Sequence, residues 1–349
     1  MAYTTINKSS DHFNTVLYTG SGSAQDITTG HQPDLIWIKN RGYADHHQLV
    51  DRVRWVSNSN SAQLSPNQTS AQGTKDIINS FSSTSYNLET GDRAYNSSDG
   101  DNFVSWSWKA NGAGSANTDG SINTTATSVN TTAGFSISKY TGTGSNATVG
   151  HGLGTAPKWI IIKKTSGTEQ WVIGESASGF TKNLHFLTAA LNTSSAVWND
   201  TAPTSTVFSV GTNSGTNSSG ETYIAYCWSE IIGFSKFGSY VGNGNADGSF
   251  IYTGFKPAFV MLKYASPGGG VGNWGMHNAK VDVDNPVQKG LIANSNAVED
   301  THDFMDFFSN GFKLRSTSSN RNENGSTYVY MAFAEAPLVG SNNIPATAR

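Results

Sequence analysis

The chain has 349 residues and a formal net charge of −3, and 13% of its residues are charged, about half the usual share of a soluble domain. This balanced charge, without a cluster of Lys or Arg, argues against a nucleic-acid partner, and no apolar run approaches the roughly 20 residues that cross a membrane. The 9 Trp, 13 Tyr and 17 Phe argue against disorder, because disordered chains are poor in aromatic residues.

The N-terminal sequence MAYTTINKSSDHF has neither a basic segment nor an apolar one, so we expect no signal peptide. The single cysteine, Cys227, excludes an intrachain disulfide and a multi-cysteine metal site. It falls within a predicted strand, where a thiol packs as a small hydrophobic group. These features are typical of a soluble β-type protein without disulfides.

One pattern of residues occurs three times along the chain. Each copy opens with Tyr-x-Gly-x-Gly, continues with a Pro that begins an apolar run ending six residues later in Lys, and closes on an aromatic strand. From the opening Tyr to the closing strand the distances are 85, 83 and 88 residues. The shared positions are Tyr18, Tyr140 and Tyr240; Pro33, Pro157 and Pro257; Lys39, Lys163 and Lys263; and Trp108, Trp228 and Phe333.

Each part of the pattern predicts a structural role. Proline is tolerated at the first residue of a strand, and the Ile- and Val-rich run after it suits a strand buried on both faces. The closing strand alternates large and small residues, which predicts one packed face and one exposed face. The glycines indicate a bulge or tight turn. Residues 75–81, with Ile77, Ile78 and Phe81 apolar, form the one helix-like window.

These units predict an all-β fold of three tandem β-sandwich repeats of about 100 residues, of jelly-roll-like form. The predicted boundaries are 1–110 for the first repeat, 133–231 for the second, 232–337 for the third and 338–349 for a polar tail. Residues 111–132 are rich in Gly, Ser, Thr and Asn, which predicts a flexible or extended linker. The second and third repeats meet near Gly233 with almost no linker, so we expect them to pack together.

Few motifs carry chemistry. No helix pattern follows the Gly-x-Gly strings, so a turn is favoured over a phosphate loop. Asp247, in a turn, and Asp282 and Asp284, which alternate on a predicted strand, are the candidate Ca²⁺ ligands, with a solvated turn and an acidic surface as the alternatives. The acidic region continues to Asp306, and a glycosidase would need two of its carboxylates facing each other.

Aromatic residues and histidines give further candidates. Adjacent His46 and His47 would point to opposite faces of a strand, which argues against a metal site. Trp171, Trp198 and Trp274 lie outside the shared strands, and we interpret them either as core residues or as exposed platforms that bind a receptor sugar. No catalytic residue, cofactor site or metal site is predicted beyond these candidates.

Several segments together identify a resemblance. They are Met1-Ala-Tyr-Thr-Thr-Ile6, Tyr18-Thr-Gly-Ser-Gly22, Gln32-Pro-Asp-Leu-Ile-Trp-Ile-Lys39, Leu64-Ser-Pro-Asn-Gln-Thr-Ser-Ala71, Trp106-Ser-Trp-Lys-Ala-Asn-Gly112 and residues 131–154. The chain, over essentially its whole length, resembles repeat proteins of marine tailed bacteriophages, including cyanophages and pelagiphages, which are usually labelled tail-fibre or structural proteins.

The resemblance implies a non-enzymatic component of the virion, assembled in the host cytoplasm, with no catalytic residue to carry over. It implies a tail fibre or similar appendage that contacts other virion proteins and a host cell-surface receptor, a glycan being one option, and by analogy with other fibres a homotrimer. Because the repeats start close to residue 1, we expect no coiled-coil shaft before them, and a capsid or tail decoration protein is therefore the alternative. A polysaccharide-degrading tailspike would depend on the carboxylates between Asp282 and Asp306.

Overall fold

The computed structural model describes residues 4–57, 61–187, 191–266 and 272–339, and within these ranges the chain is almost entirely β. The strands of the first repeat are β1 (Phe13–Thr19), β2 (Gln25–Thr28), β3 (Leu35–Asn40), β4 (Gln48–Asp51), β5 (Ser61–Leu64), β6 (Gly73–Lys75), β7 (Ile78–Phe81), β8 (Ser85–Leu88) and β9 (Asn102–Trp108). A short 3-10 helix (Ser9–Asp11) precedes them.

The strands of the second repeat and the segment before it are β10 (Ala126–Asn130), β11 (Phe135–Thr141), β12 (Ala147–Gly150), β13 (Trp159–Lys164), β14 (Val172–Glu175), β15 (Lys182–His185), β16 (Asn192–Thr193), β17 (Val207–Val210) and β18 (Thr222–Trp228). Two single-turn helices, α1 (Ser195–Trp198) and α2 (Ser214–Asn217), lie between them. The strands of the third repeat are β19 (Ser235–Val241), β20 (Phe250–Tyr252), β21 (Phe255–Tyr264), β22 (Gly275–Asn278), β23 (Val287–Ile292), β24 (Asp300–Phe308), β25 (Gly311–Leu314) and β26 (Thr327–Pro337).

The same antiparallel strand order recurs in the three stretches. The main sheets run β1-β9-β3-β4-β5, β11-β18-β13-β14-β15 and β19-β26-β21-β22-β23. Separate smaller groups, β2-β8-β7 and β12-β17, accompany the first two, whereas in the third the smaller group β24-β25-β20 continues the main sheet beyond β23. The third, fourth and fifth strands of each main sheet follow one another as a meander (β3-β4-β5 in the first repeat). A jelly roll is a double Greek key, so the sandwiches depart from it in this part of the topology.

The central strands of each main sheet are buried on both faces, as in β3 and β9 or β13 and β18. One face packs against the smaller group of strands and forms a separate core within each repeat, around Ile36 and Tyr86, Ile160 and Phe208, and Val260 and Phe312 respectively. The other faces of the three sheets meet in a single central core drawn from all three repeats. Its cavity of about 10 Å³ has an apolar lining and is at the lower limit of the size that holds one water molecule.

The central core corrects the prediction for the closing strands. Residues 103–108 of β9 and 223–228 of β18 are buried without alternation, whereas one exposed face was expected. Val104, Trp106 and Trp108 of β9 point into the central core, where the Trp108 ring lies 6.1 Å from that of Trp228 and 5.7 Å from that of Phe333. The small residues of β9 (Ser105 and Ser107) lie on its other face and are also buried. The predicted burial of the runs after the prolines is confirmed in β3 and β13.

Three hydrogen bonds join the repeats into a closed ring. The donors are Trp171, Trp274 and His47, which immediately precede β14, β22 and β4. Trp171 Nε1 donates to the Ser65 carbonyl oxygen after β5 at 3.1 Å, and Trp274 Nε1 to that of His185 in β15 at 2.9 Å. The Nε2 of His47 lies 3.1 Å from the Ile292 carbonyl oxygen at the end of β23. Each repeat therefore donates to the equivalent strand end of one neighbour and accepts from the other.

Two further sequence predictions are wrong. Residues 111–132, predicted as a flexible or extended linker, are instead part of the second repeat, because they contain β10, which pairs with β11, and the side chain of Ile122 is buried in that repeat's own core. The helix-like window at 75–81 forms the strand β7, since Ile78 and Phe81 pair with β8 around an irregularity in register. The second and third repeats do pack together, with the Trp159 and Trp274 rings 6.0 Å apart. Residues 340–349 of the predicted tail lie outside the described residues.

The hydrogen bond that Trp171 donates to the neighbouring repeat is tested by comparing Trp171→Phe with Trp159→Phe. Both side chains are fully buried in the central core, but Trp159 Nε1 has no hydrogen-bond partner among the described residues. The two substitutions remove the same apolar volume. The free energy of unfolding should therefore fall by about 1 kcal/mol more for Trp171→Phe, because two backbone carbonyls lose their donor there. Urea unfolding measures the two free energies; equal losses would contradict a stabilising role for the contact.

His47 should make the stability of the closed ring of repeats depend on pH. Trp37 Nε1 can only donate, so Nδ1 of His47 accepts that bond at 2.8 Å and Nε2 carries the proton toward Ile292. Burial lowers the pKa of His47 to about 3, whereas in the unfolded chain it is about 6.5. The unfolded state then binds more protons, so the free energy of unfolding should fall as pH drops from 6.5 toward 3. His47→Gln should show a smaller fall than the wild-type chain in urea titrations at pH 7, 5 and 4, and identical pH profiles would refute this.

Candidate functional site

Each Tyr-x-Gly-x-Gly turn is fixed by a hydroxyl bond and an Asn side chain. The opening tyrosines donate through Oη to the carbonyls of Tyr95, Thr216 and Arg321, each at 2.7 Å. The next residue in each repeat is a fully buried Asn: Asn96, Asn217 and Asn322. Its Oδ1 accepts the N–H of the residue between the two glycines, at 3.0, 2.7 and 2.9 Å respectively.

The glycines are required by close approach and by backbone conformation. A Cβ on Gly20 would lie 2.4 Å from the Ser97 carbonyl oxygen, and the equivalent distances at Gly142 and Gly242 are both 2.3 Å. The second glycine of the first turn, Gly22, has φ of 68°, a region that residues with a Cβ rarely adopt. The predicted tight turn is confirmed, and the enclosed N–H is bonded to Asn rather than free for a phosphate.

The three buried asparagines were missed by the sequence analysis. Each is followed three or four residues later by Gly and lies six or seven residues before the first aromatic residue of the closing strand. That spacing was available in the sequence. It was overlooked because Asn and Gly are common in surface loops, and nothing in the pattern indicates that these asparagines are buried.

The three shared lysines lie near the ends of β3, β13 and β21 and are fully buried. Lys39 Nζ donates to the carbonyls of Asn40 and Tyr43, Lys163 Nζ to those of Thr69 and Lys164, and Lys263 Nζ to that of Gly272. Burial lowers the pKa of each ammonium group to about 8. An amine with such a pKa could act as a base or nucleophile, but all three are fully buried and already bonded to backbone oxygens. They therefore hold loops, and Lys163 also joins the second repeat to the first.

The shared prolines lie at the entrances of the third strands. Pro33 and Pro157 come two residues before β3 and β13, as expected for a residue that cannot donate to the ladder. Pro257 lies inside β21, where the pairing with β26 shifts register on both sides of it. Cys227 is buried and free, as expected.

The candidate receptor platforms are core residues. Trp171, Trp198 and Trp274 are all fully buried: Trp171 and Trp274 form the ring contacts, and Trp198 packs edge-on against Phe180 in the second repeat's own core, with ring centres 5.6 Å apart. A buried indole has no exposed ring face on which a sugar could stack. The alternative of a core role, which the sequence analysis left open, is the one that the structure supports.

The candidate Ca²⁺ ligands are not brought together. Asp282 Oδ2 accepts the backbone N–H groups of Gln288 and Lys289 at 2.8 and 2.5 Å, while Asp247 pairs with Lys313 and Arg315 at 2.5 and 3.2 Å. Across the described ranges, no three His, Cys, Asp or Glu side chains are grouped so that they could hold a metal ion. Asp282 is therefore held by backbone N–H groups and Asp247 by two cations, at separate places on the third repeat.

An open groove of about 580 Å³ lies on the third repeat. It is lined by Ala246, Asp247, Asn285, Pro286, Asp303, Asp306 and Arg315. Arg315 donates to Asp306 Oδ2 through Nε at 2.6 Å and to Asp247 Oδ1 through Nη1 at 3.2 Å, and Asn285 exchanges two bonds with the backbone of Phe307 in β24. These contacts make the groove a fixed, polar recess of hydrogen-bond donors and acceptors.

Comparison with known proteins identifies the family of the chain. A family model described as a domain of unknown function, DUF7483, matches residues 8–337, and the chain belongs to that family. No curated protein matches the sequence. In the part of the chain that the structure describes, no helix is long and apolar enough to cross a membrane.

The close approach at the turns is tested by Gly20→Ala with Gly42→Ala as its control. The new methyl group at residue 20 would meet the Ser97 backbone and the Phe103 ring, and overpacking of this kind costs about 1–3 kcal/mol. At Gly42 the nearest atom is 3.9 Å away, so its substitution should change the free energy of unfolding by less. Urea unfolding compares the two variants, and a Gly20→Ala protein as stable as wild type would contradict the packing described.

Proposed function

We propose that this member of the DUF7483 family is a structural component of a tailed-phage virion, a tail fibre or similar appendage that contributes to host attachment. The observation that carries the proposal is the resemblance of the segments from Met1 to Gly154 to marine phage repeat proteins. The closed body of β-sandwiches supports it, because buried strands and satisfied turns suit a protein that acts by presenting a stable surface. We propose no enzymatic activity.

The polar, weakly charged surface also supports this proposal. Some of the ion pairs among the described residues are largely buried and serve the fold, such as Arg54 with Asp51 and, between two repeats, Arg41 Nη2 with Glu299 Oε2 at 2.7 Å. Such a surface offers little to a nucleic-acid backbone. An attachment protein present in several copies on one particle would gain its affinity from the number of sites that bind at once.

A decoration protein on the capsid or tail, without a receptor, is the second candidate. The observation that favours it is the way the repeats pack: with residues 111–132 held against the second repeat, no repeat projects from the others on a free linker. A compact body of this kind could be bound on the surface of the capsid as well as at the tail. The tailspike alternative has less support, because Asp306 is held by Arg315 and is not free for general acid–base chemistry.

Immunogold electron microscopy of the phage particle that carries this chain separates the candidates. Gold at the tail, with adsorption to host cells reduced by saturating purified chain, is the result we expect. Gold spread over the capsid, without an effect on adsorption, would replace the appendage by a decoration protein. Unlabelled particles, with the chain detected only in the lysate, would exclude a virion role.

A further inference from the structure

The third repeat exposes aromatic side chains on the outer face of its smaller strand group. On β20, Phe250 is 47% exposed and Tyr252 54%, whereas Ile251 between them points into the core. Phe308, at the end of β24, packs edge-on against Phe250 with ring centres 5.9 Å apart. Tyr252 and Phe308 both pair with Gly311, where a Cβ would lie 2.9 Å from Cζ of Phe250, so the absence of a side chain leaves room for the Phe250 ring.

This aromatic face borders the polar groove. Residues paired across antiparallel strands share a face, so Asp306, Lys313 and Phe250 form one row across β24, β25 and β20. Phe308 is two residues from Asp306 on the same face, about 7 Å along the strand. Planar rings and a recess of polar groups therefore lie side by side on one surface.

The other two repeats lack this combination. The inward pairs Ile27–Tyr86 and Val149–Phe208 correspond to Ile251–Phe312, so the equivalents of Phe250 and Tyr252 are Asp26 and Thr28 in the first repeat and Thr148 and Gly150 in the second. In the second repeat the outer side chain is also engaged, since Thr148 Oγ1 accepts the N–H of Ser121 at 2.9 Å. A requirement of the fold would apply to all three repeats, so the exposed rings of the third are not explained by folding.

The charges at the groove favour an uncharged ligand. Arg315 and Lys313 are engaged by Asp306 and Asp247, two cations with two carboxylates. Asp303 adds one further carboxylate, which accepts a hydrogen bond from Gln288 Nε2 at 2.7 Å. No cation is left over in this groove to bind a phosphate, sulfate or uronate group, and the extra negative charge repels such ligands. Hydroxyl groups, in contrast, can bond to both the carboxylates and the guanidinium.

We infer that the outer face of β20, β25 and β24, together with the adjoining groove, binds a neutral polysaccharide, with pyranose rings stacked on Tyr252 and Phe250. Their hydroxyl groups bond in the groove at Asp303, Asp306 and Arg315. This inference rests on the proposed function, since it gives the attachment protein a surface and a class of ligand. The exposed rings of Tyr252 and Phe250 take the place of the buried tryptophans as the residues on which a sugar would stack.

The test is biolayer interferometry of the full-length chain on an array of purified bacterial surface polysaccharides, neutral and anionic. We expect the chain to bind neutral members, and Tyr252→Ala to bind them about tenfold more weakly, because stacking on an aromatic ring is lost. Thr28→Ala, at the equivalent exposed position of the first repeat, is the matched control and should leave binding unchanged. Thermal unfolding of both variants should match wild type, because both side chains are exposed.

Binding to no neutral polysaccharide, binding to anionic ones only, or a Tyr252→Ala variant that binds as wild type would each overturn the inference. If Tyr252→Ala proves misfolded, Phe250→Ser provides the same comparison with Asp26→Ser as its control. The outcome is separate from that of the proposed function: gold at the tail with no polysaccharide binding would reject this surface alone, whereas polysaccharide binding by a chain missing from the particle would reject the virion role alone.

Discussion

The structure depends on burying both faces of three β-sheets in one chain. A single sandwich covers one face of its main sheet and leaves the other, with residues such as Trp106 and Met261, in need of a partner. Fully burying one large apolar side chain contributes about 1.5–3 kcal/mol, so the uncovered faces drive the repeats together. The central core that results is shared by all three, and the ring of Trp171, Trp274 and His47 closes around it with no repeat left unpaired.

This arrangement decides which surfaces remain for function. The main sheets are enclosed, so the smaller strand groups and the turns are exposed to solvent. The Tyr-x-Gly-x-Gly turns are fixed in the same way in each repeat by Asn96, Asn217 and Asn322. The smaller strand groups differ, polar in the first repeat, bonded to Ser121 in the second and aromatic in the third. Repeats that share a core can therefore diverge on their outer faces without loss of the fold.

Much of the fold could be predicted from the sequence, because the turn glycines and the Ile-rich runs act locally. Two of the errors, at residues 75–81 and 111–132, concern segments that pair with the next strand along the chain, and the others come from contacts between distant parts of the chain. The alternation in Phe103–Trp108 predicted an exposed face because nothing local shows that another repeat covers it, and Trp171 and Trp274 could be core or surface for the same reason. The aromatic face of β20 went unnoticed, since Phe250 and Tyr252 flank an apolar Ile251 and resemble any buried strand. Only the tertiary structure tells these cases apart.

Differential scanning calorimetry of the full-length chain tests the shared core most directly. If the three repeats depend on one central core, the chain should unfold in one transition, with a calorimetric enthalpy equal to the van't Hoff enthalpy. Three separable transitions, or a van't Hoff enthalpy near one third of the calorimetric value, would show that each repeat is stable alone and would contradict the account.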